Sequence, residues 1–244
     1  MSNFLHQHME VMESTNETLW EFSSKVHLSN FHTISTDFQT KGKGQDSNVW
    51  ESEASRNILF SCVVFPEFLN AGDAFQISRW ISLSIIDYLD NKGIKELKIK
   101  WPNDIYVGKK KIAGILIQNA IAGNHLSKSM FGVGLNINQE VFTTDAPNPT
   151  SLVQLKSSEY EPLEELHYLI STLQKKYRLL QRKPEKLITD YHQLLYQRDE
   201  YCSYKIAKGA IKGKILGVDE YGRLLLAEQG LEAVAYDLKE VKFL

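Results

Sequence analysis

KWPNDIYVGKKKIAGIL, residues 100–116, carries the strand, turn and hairpin signals on which the fold reading rests. The run leading into it, ELKIKW, alternates Leu97, Ile99 and Trp101 with Lys98 and Lys100, so the lysines face away from the apolar side chains, as on a half-buried strand. Pro102-Asn103-Asp104 breaks that strand with turn chemistry. Two β-prone runs follow, joined at Gly108-Lys109-Lys110, and predict a hairpin. Lys100 stands beside Trp101 and just before the turn, which fixes one ammonium in place; a lysine snorkelling from the surface is the plain alternative.

Upstream, Ser14 with Glu17 three residues later forms a capping box, and Leu19 and Phe22 then recur at helical spacing. Residues 31–38 alternate loosely as a strand, and ILFSCVVF reads as a buried one. From Asp73 to Asn91, Ile77, Trp80, Ile81, Ile85 and Tyr88 mark an amphipathic helix that Gly93 ends. Downstream, MFGVGLNIN is a strand whose two glycines allow something to approach its backbone closely. EYEPLEELHYLISTLQKKYRLLQ and the segment after Pro184 predict two helices covering one sheet face. After about Glu200, IKGKILGV, GRLLLAEQ and AVAYDLKEV suggest a small barrel or curled sheet.

The chain has 244 residues, enough for one sizeable domain with a small one, and 43% of them are apolar. With 30 acidic and 28 basic residues the net charge is -2, which gives no broad footprint for nucleic acid or an anionic membrane. Cys62 and Cys202 lie far apart with no CxxC, arguing against a disulfide scaffold or zinc site and fitting a reducing compartment. MSNFLHQHME lacks a signal-peptide pattern, and ILFSCVVF is too short to span a bilayer, so a soluble cytoplasmic protein is expected. His6 and His8 lack a second pair of ligands nearby and read as a solvated terminus.

QTKGKGQDSNVW, residues 39–50, contains two glycines and two lysines but no GxxxxGK[ST] and no GxGxxG. Its N–H groups, with Lys41 and Lys43, could line an anion, but by itself the stretch reads more simply as an ordinary flexible surface loop.

Taken in order, ESTN, the 39–50 loop, KWPND, KIAGIL, GVGLNIN and GVDEYGRLLLAEQG make the chain resemble the biotin protein ligases over nearly its whole length. KWPND followed by KIAGIL is the specific part. The resemblance implies an α+β ligase domain with a mixed sheet and helices over 1–198, followed by a small SH3-like barrel over 199–244. It also implies two-step chemistry with ATP, biotin and Mg2+. Biotin's carboxylate attacks the α-phosphorus to give biotinyl-5'-AMP, and a lysine of a biotin carboxyl carrier protein, the acceptor domain of a carboxylase, then displaces AMP.

By that resemblance Lys100, Asp104 and Lys43 are the catalytic candidates, Lys100 lying between carboxylate and α-phosphate. Two anions must meet there, so cations and N–H donors have to offset their repulsion. Ser14, Thr15, Asn16, Gln39, Lys43, Gly44, Gln45 and Lys100 are the biotin-side candidates, with Gly114 and Leu116 offering backbone contacts. Trp50, Lys100, Asn103, Lys111 and Asn136 are assigned to the ATP side, and no protein metal ligands are expected. Plain readings stand beside these: Ser14 as a helix cap, Trp50 as core, Asp104 as a turn residue.

The family loop reads GRGRxGR, whereas here Gly42, Lys43, Gly44, Gln45, Asp46, Ser47 and Asn48 fill those positions, a less positive set. The ESTN stretch begins at Glu13, leaving no room for the winged-helix DNA-binding domain of some relatives, so no DNA partner is expected. A lipoate protein ligase and a non-catalytic biotin- or carrier-binding module are the competing functions. An exposed sheet edge could serve a homodimer or be blunted by charge.

Overall fold

A computed structural model describes residues 5–45, 48–143 and 148–244. Its larger sheet has seven strands: β1 (His6–Met12), β2 (His32–Gln39), β3 (Ile58–Val64), β4 (Leu97–Lys100), β5 (Asp104–Val107), β6 (Lys110–Ala122) and β7 (His125–Leu135). They lie in the order β1-β2-β3-β7-β6-β5-β4. Only the β1–β2 pair is parallel; the rest of the ladder is antiparallel, so the sheet is mixed.

β3 is buried throughout because both of its faces are covered. Phe60, Cys62 and Val64 join the large core on one face, and Val63 joins a smaller cluster on the other. That smaller cluster also contains Met12, Leu28, Ile34 and Met130, closed over by Leu19 of helix α1 (Thr15–Lys25). The large core is covered by α2 (Phe75–Asn91), α4 (Pro162–Arg182) and α5 (Pro184–Gln193), while the short α3 (Leu152–Lys156) follows β7. Ile77, Trp80, Ile81, Ile85 and Tyr88 of α2 are all fully buried, as their spacing predicts. Trp80 packs edge-on to Phe31 and Phe131 and donates its indole N–H to the Leu173 carbonyl at 2.9 Å, satisfying its one polar atom.

A second, five-stranded antiparallel sheet takes the order β11-β10-β9-β8-β12. Its strands are β8 (Tyr201–Ile206), β9 (Gly209–Val218), β10 (Leu224–Glu228), β11 (Ala233–Tyr236) and β12 (Lys242–Phe243), consistent with the SH3-like fold expected. Its Tyr204, Ile215, Val218 and Leu224 belong to the large core. Trp101 Nε1 donates to the Gly222 carbonyl at 2.8 Å, and the buried Arg79 donates to the Asp219 carbonyl at 2.7 Å. KWPND is thereby tied to the β9–β10 turn.

Two elements depart from the sequence reading. Residues 6–12 form an edge strand rather than a solvated terminus: His6 and His8 both reach Ser35 Oγ, at 2.7 and 2.8 Å, and His6 Nδ1 lies 3.1 Å from His167 Nε2. α3 was also unforeseen, being too short to show a period.

Candidate functional site

The site lies on the α1 face of the larger sheet. Cross-strand partners share a face, so Ser61 with Gly132, Gly132 with Leu116, Gly134 with Gly114 and Gly114 with Asp104 make one continuous floor. A cavity of about 160 Å3 opens above it.

One end of the cavity is polar. Ser14 caps α1, its side chain accepting from the Glu17 N–H at 3.5 Å, a long contact. The next residue, Thr15, donates its backbone N–H to Gln39 Oε1 at 2.8 Å and its hydroxyl to the same oxygen at 3.1 Å. Ser61 completes the chain, donating to Thr15 Oγ1 at 2.8 Å. Asn16 is 7% exposed and lies over Gly132, where a Cβ would stand 3.1 Å from its Oδ1. Neither Asn16 amide atom has a hydrogen-bond partner among the described residues. A buried carboxamide of this kind presents both a donor and an acceptor to the cavity.

The other end is aromatic and charged. Trp50 leans on the glycine floor so closely that a Cβ on Gly134 would come within 2.2 Å of its Cε2, and one on Gly114 within 2.9 Å of its Cζ3. Its indole N–H is buried and unpartnered among the described residues. Lys111 Nζ lies 5.5 Å from the Trp50 ring centroid and 2.7 Å from Asp104 Oδ1. That ion pair depends on a β-bulge. Ile105 pairs with Ala113 but Tyr106 pairs with Lys111, so Ile112 is the extra residue. Without it Lys111 would point to the face opposite Gly114; with it, Lys111 shares the cavity face, and Ile112 is buried in the large core. Asn103 closes this wall by donating its Nδ2 to the Ile115 carbonyl at 2.7 Å.

The 39–50 loop forms the rim. Gly44 N–H donates to the Asn48 carbonyl at 2.6 Å and Trp50 N–H to the Gly42 carbonyl at 3.1 Å, which folds the loop back on itself. Asp46 and Ser47 lie outside the described residues. Lys43 is ion-paired with Glu17 on α1. Both side chains are about half exposed, so the pair is a weak tether.

Of the residues singled out in the sequence, Ser14, Thr15, Asn16, Gln39, Lys43, Gly44, Gln45, Trp50, Asn103, Asp104, Lys111, Gly114 and Leu116 all line this cavity. Two do not. Lys100 is the cross-strand partner of Asp104, but its ammonium turns to Tyr106 Oη at 3.3 Å and lies 4.9 Å from the Phe243 ring centroid. Burial holds its pKa below the ordinary ammonium value; Asp104 opposes that shift and Lys111 adds to it. Asn136 lies behind the bulge: it donates its Nδ2 to the Thr150 carbonyl at 2.9 Å and its backbone N–H to the Ile112 carbonyl at 2.9 Å. Its visible work is to hold the 148–152 segment against β6.

Ser61, Gly132 and Gly134 are cavity residues that the sequence reading did not assign to the site. For Ser61 the available signal was a hydroxyl inside an otherwise apolar run.

A family model described as the biotin/lipoate A/B protein ligase family matches residues 8–136, just over half of the chain. The chain belongs to this family. Among curated members, the bifunctional ligase/repressor BirA of Bacillus spizizenii is 26% identical over 230 residues, covering 91% of this chain and 69% of its own length. Biotin–protein ligase 2 of Arabidopsis thaliana is 34% identical over 118 residues, 45% of this chain and 34% of that protein. Among solved structures of the family, the biotin protein ligase from Aquifex aeolicus in complex with biotin and ATP shares the fold, with a TM-score of 0.79 at 23% identity, covering 98% of this chain and 97% of that one.

Proposed function

We propose that this chain is a biotin protein ligase, converting biotin and ATP into biotinyl-5'-AMP and pyrophosphate and passing the biotinyl group to a lysine of a biotin carboxyl carrier protein. The observation that carries the reading is the buried, unpartnered Asn16 carboxamide beside the Ser61–Thr15–Gln39 chain, a neutral donor and acceptor set that complements a ureido ring. The names of the similar proteins agree with it.

In this reading the polar end holds the ureido ring and the carboxylate points toward the Asp104–Lys111 wall. One carboxylate oxygen forms a bond to the α-phosphorus as the bond from that phosphorus to the bridging oxygen breaks and pyrophosphate leaves. Lys100, Lys111 and Lys43 offset the repulsion of the two anions, and Trp50 flanks the adenine. The acceptor's neutral amine then attacks the acyl carbon, AMP departs with the electron pair, and the nitrogen loses a proton. Asp104, held by Lys111, is placed to orient that amine.

Mg2+ would accompany the nucleotide and would supply positive charge that offsets its phosphates. Among the described residues there is no group of three His, Cys, Asp or Glu side chains that could hold a metal. The same proposal includes a ligase domain over 1–198, an SH3-like domain over 199–244, and a cytoplasmic, reducing setting that suits the free Cys62 and Cys202. No helix among the described residues is long and apolar enough to cross a membrane. Homodimerisation would use the edge strand β1, where Met9 and Val11 are exposed, and sedimentation at two concentrations tests it.

Calorimetric titration with biotin and with lipoate tests the substrate. Biotin should bind, and Asn16→Leu should weaken it roughly tenfold or more through loss of the polar match. Preference for lipoate, or indifference to Asn16→Leu, would overturn the reading.

A further inference from the structure

The Lys100 ammonium touches aromatic side chains from both sheets, the Tyr106 hydroxyl and the Phe243 ring. Tyr106 comes from β5 of the larger sheet, its ring centroid 5.1 Å from the ammonium and its hydroxyl 3.3 Å away. Phe243 comes from β12 of the second sheet, 4.9 Å away. Both rings are themselves braced: Tyr106 lies 5.3 Å from Tyr196, and Phe243 packs edge-on to Tyr204 at 5.4 Å, opposite its own ladder partner. The ammonium donates to the Tyr106 hydroxyl and lies over the Phe243 ring, whose face attracts a cation.

We propose that Phe243 is a positioning residue for Lys100, holding its ammonium on the Tyr106–Phe243 clasp and so setting how readily it turns to the carboxylate and phosphate in the cavity. This rests on the ligase reading, which places Lys100 between the two anions. In this proposal the lysine moves between two stations, the observed contact with Tyr106 and Phe243 and the cavity mouth beside its cross-strand partner Asp104. Lys111 already neutralises Asp104 at 2.7 Å and repels a second ammonium, which favours the clasp until an anion is present. Leaving the clasp is a cost that carboxylate binding has to meet, so the second sheet influences the chemistry of the first through one ring.

Weakening the clasp should tighten biotin binding, the opposite of what damage to the fold would do. Phe243→Leu should lower the Kd for biotin roughly two- to fivefold, the change that follows from losing a partly exposed cation–π contact. Phe243→Tyr, which keeps the ring, should behave as the unmodified protein. Biotinamide, with no carboxylate, should show no change, and the effect of Phe243→Leu should vanish in a Lys100→Ala background. Unchanged or weaker biotin binding in Phe243→Leu, or the same change for biotinamide or without Lys100, would overturn the proposal.

An independent readout is the ε-methylene resonance of Lys100 in the full chain without added substrate. A ring-current shift lost in Phe243→Leu supports the clasp, and an unshifted resonance rejects it. Absence of biotin-dependent pyrophosphate release would instead overturn the ligase reading, and the lysine resonance would still decide the clasp.

Discussion

Trp50 and Gly134 are in contact so close that any side chain at 134 must displace the indole: an added Cβ would lie 2.2 Å from Trp50 Cε2. Gly134→Ala should push the indole off the glycine floor. The expected outcome is a change in tryptophan fluorescence and a rise in KM for ATP of roughly tenfold or more, since base–aromatic stacking contributes about 1–3 kcal/mol. Stopped-flow adenylation with varied ATP checks this, and unchanged KM would remove Trp50 from the nucleotide side.

Ser61 donates to Thr15 Oγ1, which in turn donates to Gln39 Oε1. Ser61→Ala removes the first link without leaving an orphaned donor, so its stability cost should be small, about 1 kcal/mol. Because Thr15 Oγ1 loses the donor that fixes it on the cavity side, biotin affinity should fall several-fold. Paired denaturation and binding measurements check this; loss of stability with intact affinity would make the chain a structural feature only.

Lys43 is tethered to Glu17 rather than committed to the cavity. Replacing Lys43 and Gln45 together by arginine restores the planar forks and charge of the family pattern. That variant should retain biotinyl-5'-AMP longer than the unmodified chain, measured by rapid quench and dialysis. Equal retention would show that the lysine loop already holds the intermediate as well.

His6 has its pKa lowered to about 4 by burial first, with His167 and His8 adding to the shift. The unfolded chain binds this proton near 6.5 and the folded chain only near 4. The associated stability is therefore fully present above about pH 6.5 and is lost as pH falls through about 4. His6→Gln should flatten the denaturation midpoint across that window, and an unchanged acid slope would contradict it.

Legibility in the sequence followed the strength of the local pattern. α2, β3 and the β5–β6 hairpin were readable because apolar residues marked their buried faces at the right period. β1 was not: only Met12 of its residues is buried, so an edge strand shows no alternation. The glycines of GVGLNIN announced a close approach, but that Trp50 makes it is a tertiary fact. The bulge at Ile112, which aims Lys111 at Asp104, leaves no trace in composition or spacing. Lys100 was legible as a fixed ammonium, yet the ring that helps to fix it comes from a strand some 140 residues later.

Biotin-dependent adenylation followed by transfer is directly measurable. The direct measurement incubates the full chain with ATP, Mg2+ and either biotin or lipoate, follows pyrophosphate, and weighs a biotin carboxyl carrier domain afterwards. Pyrophosphate release should require biotin and the acceptor should become heavier by one biotinyl group, both lost in Lys100→Ala. Release that is independent of biotin, transfer of lipoate alone, or full activity in Lys100→Ala would contradict it.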